Sequence, residues 1–286
     1  MKNTTIFIAF ISLLVSGAVS AEGGSTLEQI KASETIRIGY RETEPPMSFL
    51  NKDKQPVGYT IDLCKHIVDG IKSHLQNPNI ATRYVSVTAA DRFEALQNDK
   101  IDILCGSTTK TLSRMEVVDF TQQTFITGAA FMTLGPFKLK EISELQGKKV
   151  AVVKGTTTSG RLAKVLKKAD SDAIVVTVNT AAEGLDALTQ GQVHAFAADQ
   201  IVLIGLVVTH ENPKKFAVSD NVFSYEPFAL AVKRNDADFR LLANRVLSNV
   251  YRSGKIKEIY QKWFGKYITK VPQLLDAVYI LNSTPE

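Results

Sequence analysis

The sequence has little of what several classes of protein require. Its 286 residues include two cysteines, too few for a disulfide-rich scaffold or a multi-cysteine zinc cluster. Its four histidines never form an HExxH pair, and neither a GxSxG nor a P-loop motif occurs. Beyond the N-terminus, no run approaches 18 consecutive apolar residues, so no membrane-spanning helix is expected. These absences argue against common zinc enzymes, serine hydrolases and nucleotide hydrolases, and they predict that neither a metal nor a cofactor is needed.

The charge of the chain is mildly basic, with 34 Lys and Arg against 29 Asp and Glu, a net charge of +5 and a pI near 9.0. A nucleic-acid groove needs a basic stripe with aromatic stacking platforms. Here the longest basic clusters are doublets at 148–149, 167–168 and 214–215, so no nucleic-acid partner is expected. The 44% hydrophobic content suffices for one large domain or two ordinary ones, and disorder is not expected.

The N-terminus has the pattern of an export signal. Lys2 precedes the apolar run 6–15, and the small residues Val19-Ser20-Ala21 satisfy the rule for a signal-peptidase site. Ten residues reach about half of the ~30 Å hydrocarbon layer, so this run does not span a membrane. We therefore expect a signal peptide over 1–21 and a soluble product in the bacterial periplasm. No cysteine follows the cleavage point, which argues against a lipid anchor; the alternative is a buried N-terminal helix.

The pattern along the rest of the chain predicts two similar α/β units. Strands are predicted at 35–40, 81–87, 101–105, 149–153, 173–178 and 193–197, and helices at 58–72, 90–97, 157–168, 181–189 and 200–208. Two C-terminal helices are also predicted, the first behind Asp236 as a candidate N-cap. Such alternation favours mostly parallel sheets with helices on their faces. Extended runs at 125–134 and 228–232 connect the units, which indicates a lobe inserted into a lobe through a two-strand hinge. We expect lobe 1 at 22–128 plus 227–286, lobe 2 at 129–226, and a cleft between them.

Polar residues follow four of the predicted strands, where ligands of parallel α/β sheets bind. They are Arg41, 106–109 with Arg114 beyond them, 154–158, and Ala198-Asp199. The turn Gly155-Thr156-Thr157 opens a helix and offers free backbone N–H groups to a carboxylate. Arg114 is a two-pronged carboxylate donor, and Asp199 suits an ammonium group. Together these residues are typical of an amino-acid site. Taken singly, the Gly-Thr-Thr turn and Asp199 fit helix capping equally well, and Ser107, Thr109 and Arg114 are more typical of turns and solvated surface.

With these residues, the chain resembles the periplasmic amino-acid-binding proteins of the polar amino acid ABC-transporter family (solute-binding protein family 3). The residues that carry the resemblance are Ile38-Gly39, PMSF at 46–49, VGYTIDL at 57–63, IDI at 101–103, STTKTLSR at 107–114, VDFT at 118–121, GTT at 155–157, Ala198-Asp199 and Trp263-Phe264. The resemblance covers nearly the whole chain after the signal. It implies a type II two-lobed fold, closure around an amino acid, delivery to an inner-membrane ABC permease, and a monomer.

The resemblance also implies roles for single residues. Ser107, Thr109 and Arg114 would hold the α-carboxylate together with Thr157, and Asp199 and Ser107 would hold the ammonium group. The residues expected to bind the ligand are Arg41, Arg92, Ser107, Thr109, Arg114, Gly155, Thr157 and Asp199.

Two arginines bear on which side chain the ligand carries. Arg41 and Arg92 fall at positions that contact the ligand side chain in the family, and two guanidinium groups would repel lysine or arginine and pair with a carboxylate. The chain is most similar to the glutamate/aspartate-binding branch, but it has Ala89 and Ala181 where that branch has a serine and a histidine. An acidic amino acid is therefore expected, with another polar amino acid as the alternative. Either arginine could instead pair with a neighbouring carboxylate, the candidates being Glu42, Glu44 and Asp91.

Cys64 and Cys105 allow two interpretations. The periplasm permits a disulfide, and the helix over 58–72 should pack over the strand that ends at Cys105. Cys64 also shares an apolar helix face, so a buried free thiol fits equally well.

Two other functions deserve weighing against amino-acid binding. A few relatives of the fold, notably cyclohexadienyl dehydratase, are periplasmic enzymes that need a cleft carboxylate as acid or base, and Glu42 or Glu44 could serve. The presence of both Arg114 and Asp199 favours a binding protein over an enzyme. A sensory receptor domain is disfavoured because no later membrane span is predicted.

Overall fold

The computed structural model describes residues 24–136, 138–268 and 270–286 of the chain. The predicted signal peptide over 1–21 lies outside these described residues. Within the described part, no helix is both long and apolar enough to span a bilayer.

The elements alternate much as the sequence predicts. The helices are α1 (Thr26–Ser33), α2 (Tyr59–His74), α3 (Arg92–Gln97), α4 (Leu112–Met115), α5 (Thr157–Lys168), α6 (Ala181–Thr189), α7 (Gln200–Thr209), α8 (Ala237–Arg252), α9 (Lys255–Phe264) and α10 (Gln273–Leu281). The strands are β1 (Thr35–Tyr40), β2 (Thr43–Glu44), β3 (Ser48–Leu50), β4 (Pro56–Val57), β5 (Ala81–Ser86), β6 (Ile103–Cys105), β7 (Val118–Thr127), β8 (Ala129–Leu134), β9 (Lys149–Val153), β10 (Ile174–Val178), β11 (Ala195–Asp199), β12 (Phe216–Val218) and β13 (Glu226–Lys233).

The first large sheet has the strand order β5-β1-β6-β13-β7. Strands β5, β1 and β6 pair in parallel, and β13 pairs antiparallel with both β6 and β7. Four strands thus run in one direction and β13 runs against them. We call the part of the molecule built on this sheet lobe 1.

The second large sheet repeats this plan in the order β10-β9-β11-β8-β12. Strands β10, β9 and β11 are parallel, and β8 pairs antiparallel with β11 and β12. Again four strands share one direction and one is reversed. We call this part lobe 2; it confirms the predicted two-lobed α/β fold with mostly parallel sheets.

The chain crosses between the lobes twice. It passes from β7 to β8 at Gly128, and it returns between Val218 and Glu226 to begin β13. The reversed strand of each sheet is therefore the one that enters directly after a crossing. The residue limits given above for the lobes stay predictions.

Apolar spacing explains how helices cover the lobe 1 sheet. In α2, Ile61, Cys64, Ile67, Val68 and Ile71 recur every three or four residues, and all are buried. This face packs against α8 and β1. Burial of each such side chain contributes about 1.5–3 kcal/mol to the free energy of folding.

Asp236 joins the beginning and the end of lobe 1. Its Oδ1 accepts a hydrogen bond from Phe239 N at 3.2 Å, which confirms it as the N-cap of α8. Its Oδ2 accepts from Thr26 N at 2.8 Å, at the start of α1. One carboxylate therefore ties the first described helix to a helix more than 200 residues later in the chain.

The sequence patterns missed four parts of lobe 1. These are the helices α1, α4 and α10, and a small antiparallel sheet in the order β2-β3-β4. Helix α10 packs on β7, the strand that leads to the first crossing. Its Tyr279 hydroxyl lies 2.8 Å from that of Tyr59, which donates to Thr124 O of β7 at 2.7 Å.

The lobes touch where α7 meets the turn after β2. The backbone at Pro45 lies so close to Gly205 that a Cβ on Gly205 would overlap the Pro45 carbonyl group. Gly205 is thus the residue of α7 that lets the lobes come together at this point.

Candidate functional site

The carboxyl ends of β1, β6, β9 and β11 face one another across the cleft between the lobes. Thr109 Oγ1, after β6 in lobe 1, lies 3.3 Å from Thr157 Oγ1 in lobe 2. Arg92 of lobe 1 donates to Gly155 O of lobe 2 at 3.3 Å. The structure therefore brings the residues predicted from strand ends into one place, with the lobes in contact.

Gly155 is fitted to this close approach. Its φ is +78°, in the left-handed region, and a Cβ there would lie 2.9 Å from Ala89 O of the other lobe. Its carbonyl accepts from Arg92 and, at 3.4 Å, from Arg114. A side chain at position 155 would therefore hold the lobes apart.

The turn before α5 divides its tasks between two threonines. Thr156 is the N-cap, and its Oγ1 accepts from Ser159 N at 3.2 Å. Thr157 follows it, and its hydroxyl points into the cleft toward Thr109. The first backbone N–H groups of α5 have no intrahelical acceptor, so this helix end can bind an anion.

Arg114 is positioned in the cleft by a backbone carbonyl and an aromatic ring. Its Nη1 donates to Thr109 O at 2.7 Å, and its guanidinium carbon lies 5.3 Å from the ring centre of Phe93. Burial lowers the pKa of Arg114, while the carboxylates of Glu226 and Asp199 act to raise it. Its hydrogen bonds go to backbone carbonyls, and no carboxylate of the described residues contacts its guanidinium group directly.

Arg92 is almost fully buried, at 2% exposure. Its Nη1 donates to Ala89 O, its guanidinium carbon lies 4.6 Å from the ring centre of Phe93, and its Nε has no partner. Burial, with repulsion from Arg114 and Arg41, lowers its pKa well below the usual range. Arg92 is therefore a buried cation with no counter-ion in direct contact within the part of the chain that the structure describes.

Arg41 is also buried, but it has a carboxylate partner. Its Nη2 lies 2.9 Å from Glu44 Oε1, and the hydroxyl of Ser107 donates to Glu44 Oε2. The alternative arrangement considered above, pairing with a neighbouring glutamate, is therefore the one found for Arg41. Arg41 and Ser107, both expected to bind the ligand, therefore contact the same carboxylate of the protein.

Asp199 ends β11 and precedes α7 without capping it. It occupies the N-cap position, yet its side chain makes no capping hydrogen bond, and its buried Oδ1 has no partner. Burial raises the pKa of Asp199 well above the usual range, and the carboxylates of Glu226 and Glu44 add to the effect, against Arg114 and Arg92. An ammonium group beside Oδ1 would relieve both the burial and the repulsion.

Glu226 belongs to the site, and the sequence analysis missed it. It is the first residue of β13, is 1% exposed, and its Oε2 accepts from Thr109 Oγ1 at 2.6 Å and Thr157 Oγ1 at 2.7 Å. Its Oε1 accepts from Ser224 Oγ at 2.6 Å. The available signal was a lone acidic residue near the start of the apolar run over 228–232, at the point where the chain re-enters lobe 1.

The two cysteines form a disulfide, with Cα atoms 6.4 Å apart. This settles the alternative left open by the sequence. The bond ties α2 to the end of β6, directly before the loop that carries Ser107 and Thr109. No group of three or more potential metal ligands occurs among the residues that the structure describes.

Comparison with known proteins gives concordant matches. The model of the family described as bacterial extracellular solute-binding proteins, family 3, matches residues 36–266. An L-glutamate/L-aspartate-binding protein of Pseudomonas aeruginosa is 32% identical over 265 residues, covering 91% of this chain and 87% of its own.

Solved structures match the fold of this chain. An ancestral arginine-binding protein bound to arginine matches with a TM-score of 0.73 and 29% identity, over 81% of this chain and 99% of its own. An ancestral amino acid-binding protein, AncCDT-1, a precursor of cyclohexadienyl dehydratase, matches with a TM-score of 0.73 and 27% identity, over 84% of this chain and all of its own, at 100%.

Proposed function

Because the chain belongs to the bacterial extracellular solute-binding proteins of family 3, we propose that it binds an amino acid with an acidic side chain and delivers it to a membrane ABC permease. The glutamate/aspartate-binding relative supports this ligand class. The proposed place of action is the periplasm, reached through the export signal predicted at 1–21.

One observation carries the proposal. Among the described residues, four buried side-chain polar atoms lack a hydrogen-bond partner, and two of them belong to charged groups. They are Arg92 Nε on lobe 1 and Asp199 Oδ1 on lobe 2. The Arg92 guanidinium reaches Gly155 O across the cleft, and the Asp199 carboxylate interacts with the charges of Arg114 and Arg92 of lobe 1. A buried charge without a counter-ion is costly, so each of these two groups calls for an opposite charge. A ligand that carries a carboxylate and an ammonium group supplies both.

The backbone of the amino acid has a natural orientation in this cleft. Its α-carboxylate would be held by Arg114 and by the free N–H groups at the start of α5, including that of Thr157. Its ammonium group would lie at Asp199. Because these groups come from both lobes, the ligand stabilises the closed arrangement over the open one.

The cations left over favour an acidic side chain. Arg114 suffices for the α-carboxylate, and Arg92 remains without a carboxylate in contact. A second ligand carboxylate at Arg92 would give it a counter-ion. Arg41 would add attraction, reduced because Glu44 already holds it at 2.9 Å.

A second candidate ligand is a polar amino acid with an uncharged side chain, such as an amide. The Arg41–Glu44 pair supports it, since one of the two predicted side-chain cations is already neutralised. Ala89 and Ala181 also remove two donors that the resemblance implied. The enzyme alternative is weaker, because Glu44, one of its candidate acid–base groups, is bound to Arg41 and Ser107.

The test is calorimetry with all proteinogenic amino acids on refolded, ligand-stripped protein. Arg92→Gln should weaken glutamate or aspartate binding about 10- to 150-fold, the value of one charge-assisted hydrogen bond, and should affect glutamine less. Arg83→Gln, at an exposed position of β5, is the matched control and should change nothing. Tight binding of arginine or lysine with glutamate and aspartate silent would contradict the proposal. Turnover of prephenate or arogenate would instead make the protein an enzyme.

A further inference from the structure

Glu226 accepts hydrogen bonds from two hydroxyl groups on opposite sides of the cleft. Its carboxylate is buried between the lobes, and one oxygen, Oε2, accepts from Thr109 Oγ1 at 2.6 Å and from Thr157 Oγ1 at 2.7 Å. Ser224 donates to the other oxygen at 2.6 Å. Three hydroxyl donors thus stabilise this carboxylate within the protein.

The contacts with Glu226 fix what the two threonines can offer a ligand. A hydroxyl has one proton to donate and two lone pairs that accept. Since Thr109 and Thr157 both give their proton to Glu226, their oxygens present only lone pairs to the cleft. Such oxygens attract a donor and repel a carboxylate, although the backbone N–H groups of both residues remain able to bind an anion.

An ammonium group fits this pair of oxygens. The two oxygens are 3.3 Å apart, one on each lobe. The carboxylate of Asp199, whose Oδ1 has no partner among the described residues, interacts electrostatically with Glu226, which holds both threonines. An ammonium group has three protons, enough for Asp199 and for both hydroxyl oxygens. Without Glu226, the same hydroxyls could turn and donate to a carboxylate instead.

We propose that Glu226 is a positioning residue for ligand binding: by taking the protons of Thr109 and Thr157, it makes their oxygens acceptors for the ligand's ammonium group and so makes the site require an amine. This inference rests on the proposed function only in that the ligand is an amino acid. It does not depend on which side chain the amino acid carries.

The test compares ligands with and without the ammonium group. The probes are L-glutamate against glutarate and L-glutamine against glutaramate, titrated by calorimetry into the wild-type protein and Glu226→Gln. The wild type should prefer each amino acid strongly over its deamino partner. In Glu226→Gln, whose side-chain amide can donate, this preference should fall at least about tenfold, because the amino acid weakens while the deamino partner does not.

Two further variants keep the test decisive. Ser224→Ala removes a Glu226 contact but leaves both threonines bound, so it should keep the wild-type preference. Thr109→Val removes one acceptor and should lower the preference even where Glu226→Gln fails to fold. Equal weakening of the amino and deamino ligands in both Glu226→Gln and Thr109→Val would overturn the inference, since a merely structural role or a hydroxyl donating to the α-carboxylate predicts that result.

The two proposals fail separately. If only the glutamine pair binds, and its preference falls in Glu226→Gln, the acidic ligand is wrong and the role of Glu226 holds. If glutamate binds tightly and its preference over glutarate is unchanged in Glu226→Gln and Thr109→Val, the acidic ligand holds and the role of Glu226 is wrong.

Discussion

Replacing Gly205 by alanine should weaken ligand binding while stabilising the fold. Gly205 lies in α7 of lobe 2, and a Cβ there would overlap the Pro45 carbonyl of lobe 1. In this variant the two lobes cannot close fully, although each lobe by itself remains unstrained. We expect this overlap to disappear when the lobes separate, because Pro45 and Gly205 belong to different lobes.

The two expected effects have opposite signs. Alanine in place of glycine within a helix raises the free energy of unfolding by up to about 1 kcal/mol. Incomplete closure should cost the ligand at least the contact with Asp199 proposed above, and a hydrogen bond to a charged group contributes about 1.5–3 kcal/mol. We therefore expect about 10- to 150-fold weaker binding in a protein that melts at the same or a higher temperature.

Two other helical glycines of lobe 2 are matched controls. A Cβ at Gly160 in α5 meets nothing within 4 Å, so Gly160→Ala should gain stability without loss of affinity. A Cβ at Gly184 in α6 would overlap the ring of Phe196 inside the same lobe, so Gly184→Ala should lose stability. Denaturant unfolding measures the stability of each variant, and calorimetry measures its affinity for the ligand. Small-angle scattering with and without ligand measures compaction. Wild-type affinity in Gly205→Ala, with ligand-induced compaction intact, would refute the reasoning.

Two more predictions concern the disulfide and Asp199. The Cys64–Cys105 bond closes a loop with a sequence separation of 41, so the double variant Cys64→Ala/Cys105→Ala should lose about 4 kcal/mol of unfolding free energy by the loop-entropy relation; a loss under about 1 kcal/mol in denaturant titration would count against it. Burial and the carboxylates of Glu226 and Glu44 raise the pKa of Asp199, whereas a ligand ammonium group favours its ionised form. Binding should therefore release a proton at pH values below the raised pKa, and affinity should increase as the pH rises toward it. Calorimetric heats that do not vary with the ionisation enthalpy of the buffer would contradict this.

The large elements of the fold follow from periodicity, and the small ones do not. The runs that became β1, β9, α5 and α6 have apolar patterns long enough to specify both type and limits. Strands β2 and β4 have two residues each, too few to show any period. Their existence depends on pairing with β3, a contact between segments that no local pattern encodes.

Part of the candidate site could likewise be predicted from the sequence, and part could not. Gly155, Thr157 and Asp199 were predictable because they follow strands, and parallel sheets place such residues together. The state of Arg41 was not, since pairing with Glu44 depends on the turn between them. Glu226 gave no signal of its own because its partners, Thr109 and Thr157, lie on different lobes and meet it only in the folded chain.

The reversed strand of each sheet bears on the order in which the protein is completed as it is made. All five strands of the lobe 2 sheet lie within 129–218, so that sheet has every strand once residue 218 has emerged. Lobe 1 is completed later. Its strand β13, which lies between β6 and β7, is formed by residues 226–233. Asp236, whose carboxylate accepts a hydrogen bond from Thr26 N, follows that strand. A ribosome or an export channel releases the chain from its N-terminus. The half of the molecule that begins first is therefore the half that finishes last, and the cleft can form only when the final fifth of the chain arrives.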